Sequence, residues 1–375
     1  MRITLISDTY LPEINGVTTV LSTMREGLLA RRHAVQVIAP GYAEPGPDEA
    51  GVVRRWSVRF PPYPAIRLSL PWGGDVGRAL DDFHPELVHV ATEGPLGTVG
   101  RRAALARGLP LVTSFHTDFP RYAARYLGQW AVRPIQGYLR RFHAPAFVTQ
   151  TPSQTTRDEL AALGFEHPVV WGRGVDSRLF HPERRSEERR AALGVDRARP
   201  LVLHVSRLAV EKDVTTLVSA FRLAHDALGD QARFVVAGDG PEGGMVRAAL
   251  PFATHYGFID RVRLADLYAD SDLFIFPSPT ETCGLVVLEA MASALPVVTS
   301  DQGGVRENVR DGLNGMMVPA GSAAHFAAAT VMLVQDPSRR AAMASAARAF
   351  AVARDWEREL DALEPIYRDA IATVA

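Results

Sequence analysis

Residues 273–289 of the chain read LFIFPSPTETCGLVVLE. The four apolar residues at the start predict a buried strand, and the prolines and serine that follow predict a turn. Gly284 permits a close backbone approach, and the apolar residues after it predict a helix. A strand that passes through a short turn into a helix is the repeating unit of parallel α/β sheets. This stretch therefore indicates an α/β fold.

The same alternation of short β-branched runs and helical patterns extends over most of the 375 residues. It predicts parallel sheets with helices on both faces. Strands are predicted at residues 3–7, 35–39, 52–58, 87–91, 111–115, 147–151, 169–171, 201–205, 234–237, 273–276, 297–299 and 316–318. Helices are predicted at 17–31, 97–107, 323–334, 338–351 and 356–372.

The length predicts two domains, at roughly 150 residues for each. A highly charged segment at 176–199 contains no strand pattern, and we interpret it as the linker region. We predict two doubly wound, Rossmann-like domains at residues 1–172 and 173–355. Ligands of such sheets bind at the carboxyl ends of the strands, so we expect the two domains to face each other across a cleft.

The composition excludes several classes of protein. The formal net charge is −1, which argues against general nucleic-acid binding. Cys283 is the single cysteine, so no intramolecular disulfide is expected. No run approaches the roughly 20 apolar residues of a membrane-spanning helix, and no signal peptide is recognisable. We therefore expect a cytoplasmic protein.

Two cations follow the strand predicted at 201–205. Arg207 and Lys212 are five residues apart, on a loop at the carboxyl end of that strand. They could clamp a diphosphate, the arginine as a fork and the lysine as a point charge. An ordinary solvated basic loop is the alternative. Lys212 is the only lysine among 41 basic residues, which raises the question of why this position is not arginine.

Two carboxylates frame the helix that starts near Gly284. Glu281 precedes this helix and Glu289 lies in its second turn. The first N–H groups of the helix would point at an anion. Carboxylates beside an anionic ligand are best explained as acceptors for sugar hydroxyls. A solvated helix surface is the alternative for Glu289, but its neighbours are apolar.

Three further positions are weaker candidates. Gly238 follows a predicted strand in a glycine-rich turn, which is either a ligand loop or a bare turn. Gly16 opens the helix after the first strand and could present N–H groups to a phosphate. His116 lies at the end of another strand, where a histidine can orient a sugar or move a proton, although a lone histidine is more often structural.

Two features are rejected as functional sites. Asp270 and Asp272 form a DxD pattern typical of metal sites, but they precede their strand and so lie at the wrong end of the sheet. His204 lies inside a strand and is expected in the core. No metal site is predicted.

Taken together, these residues resemble the family 4 retaining glycosyltransferases of the GT-B fold. The most specific part of the resemblance is Glu-x-x-Gly-Leu-x-x-Leu-Glu from Glu281 to Glu289, supported by Ser206-Arg207-Leu208 with Glu211-Lys212, by residues 288–298 and by Gly174-Val175-Asp176. Arg173 stands where asparagine is commoner, and Cys283 stands where phenylalanine is frequent.

The resemblance implies a role for each residue. Arg207 and Lys212 would bind the donor diphosphate and stabilise the leaving nucleotide, Glu289 would accept from the ribose and Glu281 would contact the sugar. The donor-binding set also contains Gly16, Gly238, Gly257, Phe258, Cys283, Gly284 and Leu285, and His116 would lie near the reacting face of the sugar. The family needs no metal, no cofactor is expected, and the last helix, within 356–375, would pack back on the first domain.

Residues 115–120 and 171–176 look like two lipid-directed branches of the family. One comprises the GDP-mannose-dependent α-mannosyltransferases, and the other the sulfoquinovosyl- and glucosyl-diacylglycerol synthases, which use UDP-sugars. The resemblance implies a lipid or glycolipid acceptor. Open alternatives are a nucleotide-sugar epimerase of the same fold, a non-catalytic binding module, and a transferase acting on a soluble small molecule or a polysaccharide.

The segment between Asp118 and Asp158 contains no acidic residue and interleaves arginines with aromatic residues. An earlier stretch from Arg54 through Trp56 to Trp72 has the same character. Such composition suits contact with anionic lipid headgroups, although a solvated arginine-rich helix with aromatics in the core would also show it. We expect a monomer or weak homo-oligomer that is peripheral on the inner face of the plasma membrane.

Overall fold

The computed structural model describes residues 1–42, 50–60, 63–69, 73–195 and 199–374. The chain divides into two compact units. Unit 1 comprises Met1–Gly172 together with Trp356–Ala375, and unit 2 comprises Arg173–Asp355. Each unit contains its own parallel sheet.

The sheet of unit 1 has the strand order β3-β2-β1-β6-β7-β8-β9, and every pair is parallel. Its strands are β1 (Arg2–Ile6), β2 (Ala34–Pro40), β3 (Val52–Arg55), β6 (Leu87–Val90), β7 (Leu111–Ser114), β8 (Val148–Thr151) and β9 (Pro168–Val170). A separate antiparallel hairpin pairs β4 (Ser57–Phe60) with β5 (Tyr63–Ser69). The helices are α1 (Gly16–Ala30), α2 (Gly73–Phe83), α3 (Pro95–Leu105), α4 (Phe119–Tyr126), α5 (Val132–His143), α6 (Gln154–Ala162) and α14 (Trp356–Ala372).

The sheet of unit 2 has the order β12-β11-β10-β13-β14-β15, again parallel throughout. Its strands are β10 (Leu201–Val205), β11 (Arg233–Ala237), β12 (Thr254–Gly257), β13 (Leu273–Phe276), β14 (Val297–Ser300) and β15 (Gly315–Val318). The helices are α7 (Glu187–Ala192), α8 (Val214–Leu228), α9 (Gly243–Ala249), α10 (Arg261–Asp270), α11 (Leu285–Ala292), α12 (Ala323–Gln335) and α13 (Pro337–Val352).

These orders explain why the strands read as continuous apolar runs. In a parallel sheet with helices on both faces, both sides of each central strand are covered. Every residue of β10 and β13 is buried accordingly. One hydrophobic cluster of unit 2 contains Leu203 and Phe274, and another contains Val202 and Leu273, so alternate residues of each strand supply different cores.

The predicted doubly wound α/β architecture is confirmed, with two local corrections. The strand predicted at 52–58 is two strands, β3 and β4, which belong to different sheets. Strand β12 was missed, because its four residues are only partly buried or exposed and carry no apolar run.

The prediction that 176–199 is a linker is wrong. Within its described part, the segment forms a 3-10 turn at Pro182–Arg184 and helix α7, and both belong to unit 2. Arg189 Nε lies 2.6 Å from Asp270 Oδ2, and Arg184 Nη2 lies 2.7 Å from Asp266. The charged residues of this segment form ion pairs with Asp266 and Asp270 of α10. Composition alone cannot distinguish such a segment from a solvated linker.

Helix α14 packs on α1, β6 and β7 of unit 1. The buried His89 on β6 lies 2.6 Å through Nδ1 from the Tyr367 hydroxyl and 2.7 Å through Nε2 from Ser114 Oγ. The Trp171 indole donates to the carbonyl of Glu359 at 2.7 Å. These bonds fix the last helix against the sheet and satisfy polar groups that are buried there.

Replacement of Tyr367 by phenylalanine should weaken this packing. The change leaves a nitrogen of the buried His89 without its partner, which costs about 1–3 kcal/mol. We expect hydrogen exchange of the β6 and β7 amides to show an opening free energy lower by that amount. The exposed Tyr126→Phe is the control and should change it by less than about 0.5 kcal/mol. Equal protection in both variants would contradict the assigned role.

Candidate active site

The strand order of unit 2 brings two distant loops together. Strands β10 and β13 are adjacent in the sheet, with Val202 opposite Leu273 and Leu203 opposite Phe274. The chain winds outward from β10 in one direction and from β13 in the other, so this pair is the topological switch point. Ligands of open α/β sheets bind at the carboxyl ends of the strands at this point. Arg207 and Lys212 follow β10, and Glu281 follows β13.

The loop after β10 is held by short local interactions. The buried His204 Nδ1 lies 2.8 Å from the carbonyl of Ile275, and its Nε2 lies 2.7 Å from Ser206 Oγ. Burial lowers the pKa of His204 to about 4, so the ring is neutral. A 3-10 turn over Val210–Lys212 follows, and Asp213 in the left-handed region turns the chain into α8.

Each of the two predicted cations is paired with a carboxylate. The guanidinium of Arg207 donates to the side chain of Glu211, which is fully buried. Lys212 Nζ lies 2.5 Å from Glu281 Oε1. The expectation of two cations presented to a ligand is therefore refined to two ion pairs, one within the loop after β10 and one between that loop and the loop after β13.

The Glu281 carboxylate is fixed on one side only. Its Oε1 accepts from both Lys212 Nζ and, at 2.8 Å, from Ser278 Oγ. Its Oε2 makes no hydrogen bond with the residues that the structure describes. One oxygen thus positions the side chain, while the other can accept a hydroxyl of a ligand.

Sequence reasoning includes Glu211 in a motif without giving it a role, and it misses Thr280 and the pair Gly303-Gly304. Thr280 Oγ1 donates to the carbonyl of Glu211 at 2.9 Å, which ties the two loops together. Gly304 N donates to the carbonyl of Glu281 at 2.7 Å, and a Cβ on Gly303 would lie 2.8 Å from that same oxygen. The glycine pair shortly after β14 is the sequence feature that could have indicated this contact.

Helix α11 begins as predicted. Gly284 adopts a left-handed conformation (φ 77°) as its N-cap, and Leu285 is its first residue. The first N–H groups of a helix have no partner within it, so they can bind an anion. Cys283 is buried among the core side chains of unit 2, and its carbonyl accepts from Asn308 Nδ2 at 2.7 Å.

Glu289 lies in the second turn of α11 and is partly buried, which agrees with its apolar neighbours in the sequence. Burial raises its pKa to about 7, from a usual value of 4.5. The positive charge of Arg261 and a hydrogen bond with Tyr268 oppose that rise. A carboxyl group that titrates near neutrality is typical of functional sites.

The remaining predicted residues of unit 2 lie at the carboxyl ends of β11 and β12. Gly238 has φ 117°, and a Cβ there would lie 1.9 Å from the carbonyl of Ser206. Its N–H donates to the carbonyl of Gly257 at 2.7 Å. Packing of the strand ends thus explains the glycine at 238. Phe258, which follows Gly257, is 66% exposed.

Gly16 and His116 belong to unit 1. Gly16 is the first residue of α1, and Asn15 caps the helix by accepting from Thr18 N at 2.9 Å. His116 follows β7 and is partly buried. Their roles toward a donor bound in unit 2 stay predictions.

The rejected DxD pattern has a structural explanation. The Asp270 carboxylate is bound by Arg189, and the Asp272 carboxylate by Arg185 and Arg190, each at 2.8 Å. Both carboxylates therefore serve as partners for arginine. The buried His204, also rejected, stacks on Phe276 with ring centroids 6.1 Å apart.

Comparison with known proteins identifies the family of the chain. The family model "Glycosyltransferase Family 4" matches residues 14–179, and the model "Glycosyl transferases group 1" matches residues 199–336. A GDP-mannose-dependent alpha-mannosyltransferase from Mycobacterium tuberculosis is 34% identical over 97% of this chain and 95% of its own length. The chain belongs to glycosyltransferase family 4.

Two further relatives of this glycosyltransferase act on other sugars, as their names state. A sulfoquinovosyl transferase from Arabidopsis thaliana is 32% identical over 86% of this chain and 64% of the relative. An alpha-monoglucosyldiacylglycerol synthase from Acholeplasma laidlawii is 27% identical over 84% of each chain.

Solved structures confirm the GT-B fold. A sucrose-phosphate synthase from Thermosynechococcus elongatus superimposes with a TM-score of 0.79 at 19% identity, covering 99% of both chains. An Anabaena protein solved in complex with UDP and glucose superimposes with a TM-score of 0.78 at 22% identity, over 98% of this chain and 100% of that one.

The raised pKa of Glu289 predicts a pH dependence. Only the ionised carboxylate accepts two hydroxyls, and its fraction falls as the pH drops below about 7. We expect the Kd of a nucleoside diphosphate, measured by calorimetry, to rise up to about tenfold per pH unit below that value. Glu289→Gln should bind more weakly at pH 8 and show a flat profile. The same slope in both proteins would contradict the role of Glu289.

Proposed function

We propose that this glycosyltransferase transfers a mannose- or glucose-type hexose, with retention of the anomeric configuration, from a nucleoside diphosphate sugar to a membrane lipid or glycolipid. The observation that carries the proposal is the meeting of Arg207, Lys212 and Glu281 at the switch point of unit 2. The two cations suit the diphosphate of such a ligand, and Glu281 Oε2 suits a hydroxyl of its sugar.

The donor would bind along the carboxyl ends of β10 and β13. Arg207 and Lys212 would bind the diphosphate with the first N–H groups of α11, and Glu281 Oε2 would accept a sugar hydroxyl. Glu289 would accept from the ribose. Because both cations are already paired with carboxylates, the diphosphate would share them with Glu211 and Glu281.

Departure of the nucleotide is the difficult step, since negative charge grows on the diphosphate as the bond to the sugar breaks. Cations and N–H groups that are already in place stabilise that charge by several kcal/mol in comparable sites. A double displacement would need a carboxylate nucleophile at the reacting carbon, whereas the free oxygen of Glu281, Oε2, would be occupied by a sugar hydroxyl. We infer front-face attack, with the leaving phosphate accepting the proton of the acceptor. An inverted product in NMR of the anomeric proton would contradict it.

The nucleotide sugar is the first thing to identify. GDP-mannose is the first candidate, because the mannosyltransferase that matches over 97% of this chain is named for it. A radiolabelled panel of GDP- and UDP-sugars, incubated with and without a lipid extract, separates the outcomes. Label in the lipid fraction supports the proposal. Conversion of the free sugar nucleotide would indicate an epimerase, label in soluble products a soluble acceptor, and no turnover a binding module.

The acceptor is proposed to reach the enzyme from a membrane surface. None of the described helices combines the length and hydropathy required to cross a membrane. Five exposed residues around the end of α4 and the start of α5 form a face that we call the basic–aromatic face. These are Arg125, Tyr126, Leu127, Trp130 and Arg133.

Solvent exposure separates this face from ordinary core packing. The Trp130 side chain is 75% exposed and Leu127 is 57% exposed, whereas Phe142 on α5 is buried. The proposal of a lipid-contacting surface on this segment is therefore narrowed to the residues at the α4–α5 junction. Exposed tryptophan beside arginine suits an anionic interface, where each arginine adds about 1 kcal/mol.

The stretch from Arg54 to Trp72 gives less support for a membrane-contacting surface. Trp56 is exposed, but Arg54 lies over the ring of Tyr42 at 5.6 Å from its centroid. Trp72 lies outside the described residues. We therefore keep the proposal to the basic–aromatic face.

Lys212→Ala should lower kcat by about 10²- to 10³-fold, as for removal of one preorganised donor at a developing negative charge. Lys212→Arg should recover only part of the activity, because a planar fork cannot replace a compact ammonium group beside Glu281. The exposed Arg263→Ala is the matched control and should stay within about twofold of the parent. Steady-state transfer assays decide this, and near-parental activity of Lys212→Ala would contradict the assignment.

Co-sedimentation should show binding to vesicles with anionic lipid and little binding to neutral vesicles. Exchange of Trp130 and Leu127 for serine should lower the partition coefficient by about tenfold, since it removes two exposed apolar groups from the interface. Leu223→Ser, at an exposed apolar residue of unit 2, should leave the partition coefficient unchanged. Equal binding to both vesicle types would contradict the membrane role.

A further inference from the structure

Unit 2 contains a cavity with polar and apolar walls, at the end of β13 away from Glu281. The cavity has a volume of about 270 Å³. The polar residues in its wall are Arg185, Ser271, Asp272, Ser293 and Arg340, and the start of α13 supplies apolar wall. Because Asp272 precedes β13 and Glu281 follows it, the length of the strand separates this cavity from the candidate active site.

In the described part of the chain, the Arg340 guanidinium forms hydrogen bonds through Nη1 alone. Its Nη1 donates to the carbonyls of Leu333 and Val334 at 2.6 and 2.9 Å, near the end of α12. Its Nε and Nη2 make no hydrogen bond, and the group forms no ion pair, with any residue that the structure describes. Arginine forks bind oxyanions in pairs of parallel hydrogen bonds, so these two nitrogens form an available binding edge.

The surroundings of this edge carry excess positive charge. Arg185 and Arg190 divide one carboxylate between them, each lying 2.8 Å from a different oxygen of Asp272. Asp336, the other acid close to Arg340, is engaged in capping α13 through Arg339 N at 2.9 Å. Burial, together with Arg185 and Arg190, lowers the pKa of Arg340 against the pull of the two acids. An anion in the cavity would relieve this repulsion.

Ser293, a residue of the cavity wall, carries a buried hydroxyl group. Ser293 is only 3% exposed, and its Oγ has no hydrogen-bond partner among the described residues. A buried polar group without a partner costs about 1–3 kcal/mol, so a native structure usually supplies one. The carbonyl of Ala292 beside it already accepts from Arg348. The end of α11 therefore offers the Ser293 hydroxyl as a possible donor.

We infer that this cavity is a binding site for a phosphate group, either as inorganic phosphate or on a small phosphorylated sugar. Arg340 would donate through Nε and Nη2, Arg185 would add its charge, and Ser293 Oγ would donate a third bond. These three donors belong to residues of one cavity wall, and a phosphate has several oxygens to accept from them. The volume lies just below the 300–1,000 Å³ of sites for larger organic ligands.

The test uses the full chain with Arg207→Ala and Lys212→Ala, so that phosphate cannot bind at the candidate active site. Inorganic phosphate is titrated calorimetrically, and thermal unfolding is followed in parallel. We expect saturable binding with one site. Arg340→Gln should weaken it by about tenfold or more, and Ser293→Ala by about fivefold. The adjacent, exposed Arg339→Gln is the matched control and should bind as the parent does.

The second arm of the experiment distinguishes the sources of the phosphate. Tighter binding of a hexose 6-phosphate than of inorganic phosphate assigns the site to a phosphorylated sugar, and the reverse order assigns it to the free ion. Ser293→Ala removes no existing bond, so its folding is secure even if Arg340→Gln is destabilised. Absence of saturable binding, or binding that neither variant weakens, would overturn the inference.

Discussion

Hydrogen bonds between β10 and β13 join two segments that lie about 70 residues apart in the sequence, at Val202 with Leu273 and Leu203 with Phe274. The site of unit 2 depends on this pairing. It places the loop that carries Arg207 and Lys212 beside the loop that carries Glu281, and the ion pair between Lys212 and Glu281 follows from it. A parallel sheet provides such a crevice only where the winding reverses.

Around this pairing, the loops are stiffened by interactions that do not themselves touch a ligand. Thr280 binds the backbone of Glu211, and Gly304 binds the backbone of Glu281. Gly238 allows the ends of β10 and β11 to approach more closely than any side chain would permit. A site that must stabilise developing charge benefits from such rigidity, because groups already in place need no reorganisation during the reaction.

The charged residues at the two edges of the unit 2 sheet suit different ligands. At the carboxyl ends of the strands, each cation is balanced by one carboxylate, and one carboxylate oxygen is left available. At the amino ends, a group of arginines is held around Asp270 and Asp272. Arg340 forms no ion pair with a carboxylate in the described part of the chain. The first arrangement suits a ligand with both a diphosphate and hydroxyls. The second suits an anion alone.

The sequence by itself determined the class of fold and most of the catalytic candidates. Strand–helix alternation is local, and the motif from Glu281 to Glu289 is contiguous, so neither needs tertiary information. It could not separate a linker from the segment around Arg189, because charge composition does not say whether a partner exists. It also assigned no role to Thr280 and Gly303, which contact residues more than 20 positions away. The order of the strands decided which loops meet, and burial by the surrounding helices decided the pKa of Glu289. Both are consequences of packing, which no local pattern contains.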